Sequence, residues 1–307
     1  MLQTRWFANA ALLGVAFVWG ATFVVVQDAV AILPPFTFNF VRFALAALML
    51  LLFLACTGKN NLRLPAGSRR RHLAGGMVLG FWLFVGYAFQ TFSLLYTTSA
   101  KSGFLTGLSV ALVPVLAYFI LRQKPSRQAV IGVLLAVCGL YLLAFRDLSA
   151  VNIGDLMAFI CAFGFGLQIV YTGKYSPRSS VFHLVLIQFA AVSALSGISA
   201  AIWERDVRPE LLAEPKVLWA LLITSLFATT LAFLAQTYFQ KTTDPAQVAL
   251  IFATEPIFAA LTDYVWNGTA MGTVTVIGFA FIFAGMVMAE VPLGKFREML
   301  RLKTQAK

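Results

Sequence analysis

Apolar runs of about 18 to 25 residues, long enough to cross a bilayer as a helix, recur ten times along the chain with short polar stretches between them. They lie at Ala8 to Val26, Phe36 to Cys56, Leu73 to Phe92, Ser99 to Leu121, Gln128 to Phe145, Ile153 to Tyr171, Val181 to Trp203, Val217 to Phe239, Ala246 to Val265, and Thr273 to Val291. The ninth run carries one acid, Glu255, set against Pro256 near its middle. A charge there costs about 2.5–3.5 kcal/mol even on lenient insertion scales. Pro256 removes the backbone donor that would satisfy the Phe252 carbonyl. One turn thus gathers a carboxylate, a helix irregularity and an exposed carbonyl, and a functional site is expected around it.

The two longest connections, 57–72 and 204–216, differ sharply in charge. The first holds Lys59, Arg63, Arg69, Arg70 and Arg71 without an acid, whereas the second, Glu-Arg-Asp-Val-Arg-Pro-Glu-Leu-Leu-Ala-Glu-Pro-Lys, is net acidic. With the N-terminus inside, seventeen loop and tail cations fall on the cytoplasmic side and only four, Arg146, Arg205, Arg208 and Lys216, outside. The positive-inside rule then places both termini in the cytoplasm. Arg5 followed by an apolar run and Ala29-Val30-Ala31 is similar to a secretory leader, but the run is spanning length and reads as the first helix.

The chain repeats itself at an offset of 146 residues. Ala16-Phe17-Val18-Trp19-Gly20 matches Ala162-Phe163-Gly164-Phe165-Gly166, Arg42-Phe43-Ala44 matches Gln188-Phe189-Ala190, and Gln90-Thr91 matches Gln236-Thr237. Ala100 matches Ala246, and Val130-Ile131-Gly132 with Gly139 matches Val276-Ile277-Gly278 with Gly285. The prolines depart from this register: Pro114 and Pro256 are 142 apart, which implies that the ninth span lacks about one turn before its proline. Five spans per copy is odd, so the second copy enters the membrane from the opposite face. The expected units are 1–146, 147–292 and a basic cytoplasmic tail at 293–307. Small residues four apart, Ala16/Gly20, Ala162/Gly166, Gly76/Gly80 and Ser99/Gly103/Gly107, read as helix-packing positions.

Composition agrees with an all-α integral membrane protein of ten transmembrane helices in two inverted five-helix repeats. Hydrophobic residues make up 60% of the chain, charged residues 11%, and the mean hydropathy is +0.86. The net charge of +11 sits in short loops, which explains it by topology and excludes a nucleic-acid surface. Cys56, Cys138 and Cys161 show no metal-ligand spacing and are expected as free thiols. Asn267-Gly268-Thr269 has the form of a glycosylation acceptor but lies too near the bilayer to serve as one.

With this pattern, the chain resembles the drug/metabolite transporter superfamily, specifically its EamA-type members, over nearly its whole length. The matching pieces are Ala-Phe-Val-Trp-Gly-Ala-Thr-Phe in the first span, Val41-Arg42-Phe43 in the second, Ser99 to Pro114 in the fourth, and Leu250 to Leu261 with its Glu-Pro in the ninth. The resemblance implies a central cavity between two inverted halves and movement of small metabolites, often export of amino acids. Members often carry a Gly-Glu pair beyond the fourth helix of each repeat; here those places read Arg122-Gln123-Lys124 and Asn267-Gly268-Thr269.

Several residues are candidates for substrate binding or coupling. Glu255 fits either a proton carrier whose protonation competes with substrate or a static partner for a neighbouring cation. Lys101 either snorkels to the outer interface or places its ammonium in the cavity, against Glu255 or an anionic substrate group. Arg42 stays charged and needs partners, which the resemblance makes structural and the alternative makes substrate. Gln90, Gln168 and Gln236 either line the cavity or hydrogen-bond helices together. Trp19, Tyr87 and Tyr238 either stack on substrate or pack. His72 and His183 are expected at solvated or headgroup-facing edges.

The function expected from these residues is a secondary transporter of the inner or plasma membrane that moves, and on the resemblance exports, a small metabolite such as an amino acid by alternating access, with protons as a candidate coupling ion. A facilitative exchanger, a multidrug carrier and a non-transporting scaffold are the alternatives. Enzyme chemistry is not expected, because no His-Glu-x-x-His or Gly-x-Ser-x-Gly is present and both histidines lie at membrane edges. No cofactor is implied, the partners are a small molecule and the bilayer, and a homo-oligomer is allowed.

Overall fold

The computed structural model describes residues 2–58, 68–97, 99–144, 152–268 and 271–290. Lys59, Arg63, Arg146 and the tail at 293–307 lie outside the described residues. Secondary structure among the described residues is helical throughout. In chain order the spans are α1 (Leu2–Val30), α2 (Pro35–Cys56), α3 (Arg69–Ser93), α4 (Ser99–Gly107 and Ser109–Leu121) and α5 (Arg127–Ala144). The second half continues with α6 (Ile153–Tyr175), α7 (Val181–Trp203), α8 (Pro215–Ile223, Thr224–Leu231 and Ala232–Phe239), α9 (Pro245–Phe252 and Glu255–Asn267) and α10 (Thr273–Glu290). Eight of these are long and apolar enough to cross a membrane, and Arg127–Leu143 and Thr273–Ala289 are shorter apolar helices.

Helix ends reproduce the sequence repeat. Pro35 and Val181 open α2 and α7, Arg69 and Pro215 open α3 and α8, and Ser99 and Pro245 open α4 and α9, each pair 146 apart. Leu121 and Asn267, which close α4 and α9, hold the same offset. The ninth span therefore does not lack a turn, contrary to the expectation from its proline. Both helices break at the same register, at Leu108 in α4 and at Ala253-Thr254 in α9. Pro114 lies within the second part of α4, so the break needs no proline and the two prolines simply occupy different sites.

The C-terminal caps also correspond. Arg122 (φ 58°) and Gly268 (φ 69°) both adopt the left-handed conformation that ends a helix. These are the places where the sequence departs from the Gly-Glu pattern. Glycine adopts this conformation freely, whereas Arg122 takes it against the usual preference of a side chain.

Inversion is visible in the glycine contacts between α5 and α10. A Cβ on Gly132 would meet the Gly285 carbonyl oxygen at 2.6 Å, and one on Gly139 would meet that of Gly278 at 2.5 Å. The earlier glycine of α5 touches the later glycine of α10, so the helices run antiparallel. The offset of 146 exchanges these two contacts. Elsewhere, Gly76 and Gly80 of α3 admit Ile187 and Ala191 of α7, which bears out their packing role. Gly103 instead is loosely packed, the nearest atom to a Cβ there being Pro256 Cβ at 4.0 Å.

At the loop edges, His72 and His183 are 2% and 9% exposed, not solvated as expected. His72 Nδ1 lies 2.9 Å from the Ser68 carbonyl, and its Nε2 accepts the Ser180 backbone N–H at 2.9 Å. The ring is drawn in because the first N–H groups of α7 have no partner within the helix. At the other end of α7, the Glu204 carboxylate accepts from the backbone N–H groups of Phe36 (2.9 Å) and Thr37 (2.7 Å), capping α2.

Candidate functional site

Between the halves lies a cavity with about 820 Å³ of empty volume, including its open mouth. Of the nine candidates selected from the sequence, seven line it: Trp19, Arg42, Tyr87, Gln90, Gln168, Gln236 and Glu255. The repeat organises the wall. Trp19 and Phe165, Thr22 and Gln168, Tyr87 and Phe233, Gln90 and Gln236, and Ser109 and Glu255 are pairs 146 apart, and both members of each line the cavity. Phe165, Phe233, Thr22 and Ser109 were not selected from the sequence. The offset applied to Trp19, Tyr87, Gln168 and Glu255 would have found them.

Glu255 opens the second part of α9, with Gly20 of α1 packed so closely that a Cβ there would meet the Glu255 carbonyl oxygen at 2.5 Å. Its carboxylate is half-buried and makes no hydrogen bond or ion pair among the described residues. Thr254, one residue before it, turns its hydroxyl back to the Ile251 carbonyl at 2.6 Å.

Arg42 is 3% exposed. Its Nε donates to Thr229 Oγ1 at 2.7 Å and its Nη2 to the Tyr87 hydroxyl and the Ala228 carbonyl, both at 3.3 Å. The guanidinium also lies 4.7 Å from the Tyr87 ring centre, a cation–π distance. No carboxylate pairs with it among the described residues. Two of its acceptors, Thr229 and Ala228, come from the middle of α8, where Thr224–Leu231 forms a π-helical turn. Such turns displace backbone groups from the regular ladder and recur at functional sites. Trp19 Nε1 donates to the same Ala228 carbonyl at 2.8 Å, and Ser225 Oγ donates to the Arg42 carbonyl at 3.0 Å. The turn is thus held from both α1 and α2.

Gln236 Nε2 donates to Gln168 Oε1 at 3.0 Å across the cavity wall. Gln168 Nε2 and Gln236 Oε1 remain buried without partners among the described residues. Gln236 Nε2 also donates to Gln240 Oε1 at 3.3 Å, and Gln240 Nε2 donates to the Ile169 carbonyl, which fixes the amide orientation of Gln236. The aromatic wall is built by Trp19, 4.8 Å from Phe252 and 5.3 Å from Phe233 between ring centres, and by Tyr87, 5.2 Å from Phe165. Tyr238 does not line the cavity and is 60% exposed.

Lys101 is also absent from the lining. Its Nζ meets Asp155 Oδ2 at 2.6 Å, with both side chains 7% exposed, and Asp155 further accepts from Thr97 and from the Asn152 backbone. It therefore neither snorkels nor faces Glu255. The residues 146 away repeat the contact in neutral form: Gln247 Nε2 donates to Asn9 Oδ1 at 3.1 Å. An ion pair joins α4 to α6 at one face, and an amide pair joins α9 to α1 at the other. The described residues contain no cluster of His, Cys, Asp and Glu arranged to hold a metal.

The model of the EamA-like transporter family matches the chain twice, over residues 6–145 and 152–290. A relative from Archaeoglobus fulgidus, named as an uncharacterized transporter, is 34% identical over 257 residues, covering 84% of this chain and 77% of its own. The transporter YetK of Bacillus subtilis is 28% identical over 286 residues, covering 89% and 83%. A crystal structure of a protein with 20% identity superposes with a TM-score of 0.73 over 92% of this chain and 96% of its own, which shows a shared fold. The ten helices, the twofold repeat and these matches together show that the chain is a multi-pass membrane transporter, not an enzyme, and belongs to the EamA-like transporter family.

Proposed function

We propose that the protein is a secondary transporter of the cytoplasmic membrane, with both termini in the cytoplasm, that exports a small polar or amphipathic metabolite such as an amino acid by alternating access. The two inverted units are 1–146 and 147–292, and the cavity between them is the substrate site. Arg42 and Glu255 carry this reading: a cation and an anion on one cavity wall, neither paired with an opposite charge among the described residues. A substrate with both an anionic and a cationic group answers both. The aromatic wall suits an apolar side group, and the Gln168/Gln236 pair offers a spare donor and a spare acceptor.

Glu255 is the proposed proton site, because among the described residues it is the acid that lines the cavity and makes no hydrogen bond there. Proton and substrate then compete for one carboxylate, which couples their movements. The test is counterflow of pooled labelled amino acids and nucleosides into proteoliposomes, with and without an imposed pH gradient. Accumulation that responds to the gradient supports the reading. Accumulation indifferent to it supports a facilitative exchanger, and no accumulation of any compound removes the metabolite reading.

A further inference from the structure

The cavity is not symmetric. Its central residues come in pairs 146 apart, but Val26, Thr91 and Leu94 line it while their counterparts Thr172, Thr237 and Gln240 do not. Val26 lies near the end of α1, and Thr91 and Leu94 lie at the end of α3, so this part of the cavity extends toward the face opposite the N-terminus. The counterparts lie near the ends of α6 and α8, toward the N-terminal face. There they are fully buried and off the cavity lining: Thr172 and Thr237 are 0% exposed and Gln240 1%.

The closed region nevertheless has the chemistry of a wet one. Thr172 Oγ1 and Thr237 Oγ1 are buried with no hydrogen-bond partner among the described residues, as are both amide atoms of Gln188, the counterpart of Arg42. Buried polar groups are normally satisfied, and an orphan is costly where no water reaches it. In an inverted-repeat carrier, the opposite-facing state is approached by letting each half adopt the conformation of the other. That exchange opens Thr172, Thr237 and Gln240 to water as it closes Val26, Thr91 and Leu94.

We infer that Thr172, Thr237 and Gln240 line the second half of the substrate path, the half that leads to the N-terminal face and is closed in this conformation, with Gln188 beside it taking its hydrogen bonds from water when it opens. None of these four positions carries a charge, unlike Arg42 and Glu255 in the central cavity, so these residues offer a passing substrate neutral hydrogen bonds. This inference rests on the alternating-access reading above.

The test is cysteine accessibility in a full-length background with Cys56, Cys138 and Cys161 replaced. Thr172→Cys, Thr237→Cys and Thr91→Cys are each labelled with an impermeant maleimide from either face of oriented vesicles, and each variant is assayed for pooled counterflow. The expected result is that Thr91→Cys reacts only from the face opposite the N-terminus, and Thr172→Cys and Thr237→Cys only from the N-terminal face. If the opposite state is a minor one, populated at about 10% or less, the latter two react at least about tenfold more slowly. Counterflow retained while both stay unreactive until denatured would overturn the inference alone. Loss of counterflow in the parent background would instead remove the transport reading and the inference with it. Unfolding midpoints of Thr172→Cys and Thr237→Cys in detergent, within a few degrees of the parent, separate a folding defect from a closed path.

Discussion

Ser109 and Glu255 occupy equivalent points of the two repeats, each opening the second part of a broken helix and each on the wall of one cavity. A hydroxyl thus stands in one half where a carboxylate stands in the other. If Glu255 couples transport to protons, Glu255→Gln keeps the fold, with a thermal unfolding midpoint within a few degrees of the parent, and abolishes the response of counterflow to a pH gradient. Ser109→Ala leaves that response in place. A Glu255→Gln protein that still accumulates substrate under an imposed gradient would remove proton coupling at this site.

Arg42 makes three hydrogen bonds to groups on α3 and α8, two of them to the π-helical turn. Arg42→Lys keeps the charge but loses the planar fork. Counterflow is expected to fall by about tenfold or more, since each lost transition-state interaction of about 1.4 kcal/mol is worth that factor. Arg42→Ala leaves the Thr229 and Tyr87 hydroxyls short of a donor, while the Ala228 carbonyl keeps Trp19, and is expected to cost about 1–3 kcal/mol of stability. Unfolding midpoints in detergent, set beside transport rates, separate the two effects.

Lys101 and Asp155 form a buried pair whose counterpart, Gln247 with Asn9, is neutral. Breaking a buried pair by removing one partner typically costs about 3–5 kcal/mol, whereas replacing both is far milder. Asp155→Ala should therefore lower the unfolding midpoint strongly. The double variant Lys101→Gln with Asp155→Asn, which copies the chemistry of the other half, should lose much less and keep transport. Equal losses in the single and double variants would show that the contact is not an isolated pair.

Gly139 meets the Gly278 carbonyl oxygen, and Gly285 meets that of Gly132, so α5 and α10 approach backbone to backbone. A leucine at either Gly139 or Gly285 forces the helices apart, a cost of about 1–3 kcal/mol or more. Because the two contacts are equivalent under the repeat, Gly139→Leu and Gly285→Leu should lower the unfolding midpoint by similar amounts. Gly14, whose Cβ position has no neighbour within 4 Å, should tolerate alanine without loss.

The fold was legible in the sequence because each apolar run carries its own length and the runs recur at one offset that every paired helix start from α2 to α5 obeys. The site was legible to the extent that polar groups in hydrocarbon identify themselves: Glu255, Arg42 and the three glutamines all reach the cavity. Lys101 misled because its partner, Asp155, lies in the other half and belongs to a helix-capping turn with Asn152, a contact that no local pattern announces. Pro256 misled differently, since the helix break it marks is shared by α4, which has no proline there. The π-helical turn of α8 left no sequence signal beyond the hydroxyls of Thr224, Ser225, Thr229 and Thr230, because only its tertiary partners, Trp19 and Arg42, make a displaced carbonyl useful.

Alternating access through one central cavity is tested most directly by labelling Ser109→Cys, in the background without native cysteines, with an impermeant maleimide applied to one face of the membrane at a time. Ser109 lies on the central, symmetric part of the wall opposite Glu255 in the repeat, so a carrier that opens to each side in turn exposes it to both. Labelling from each face, slowed from both by a substrate identified in counterflow, is the expected result. Labelling from one face only, in protein that retains counterflow, would contradict a shared central site.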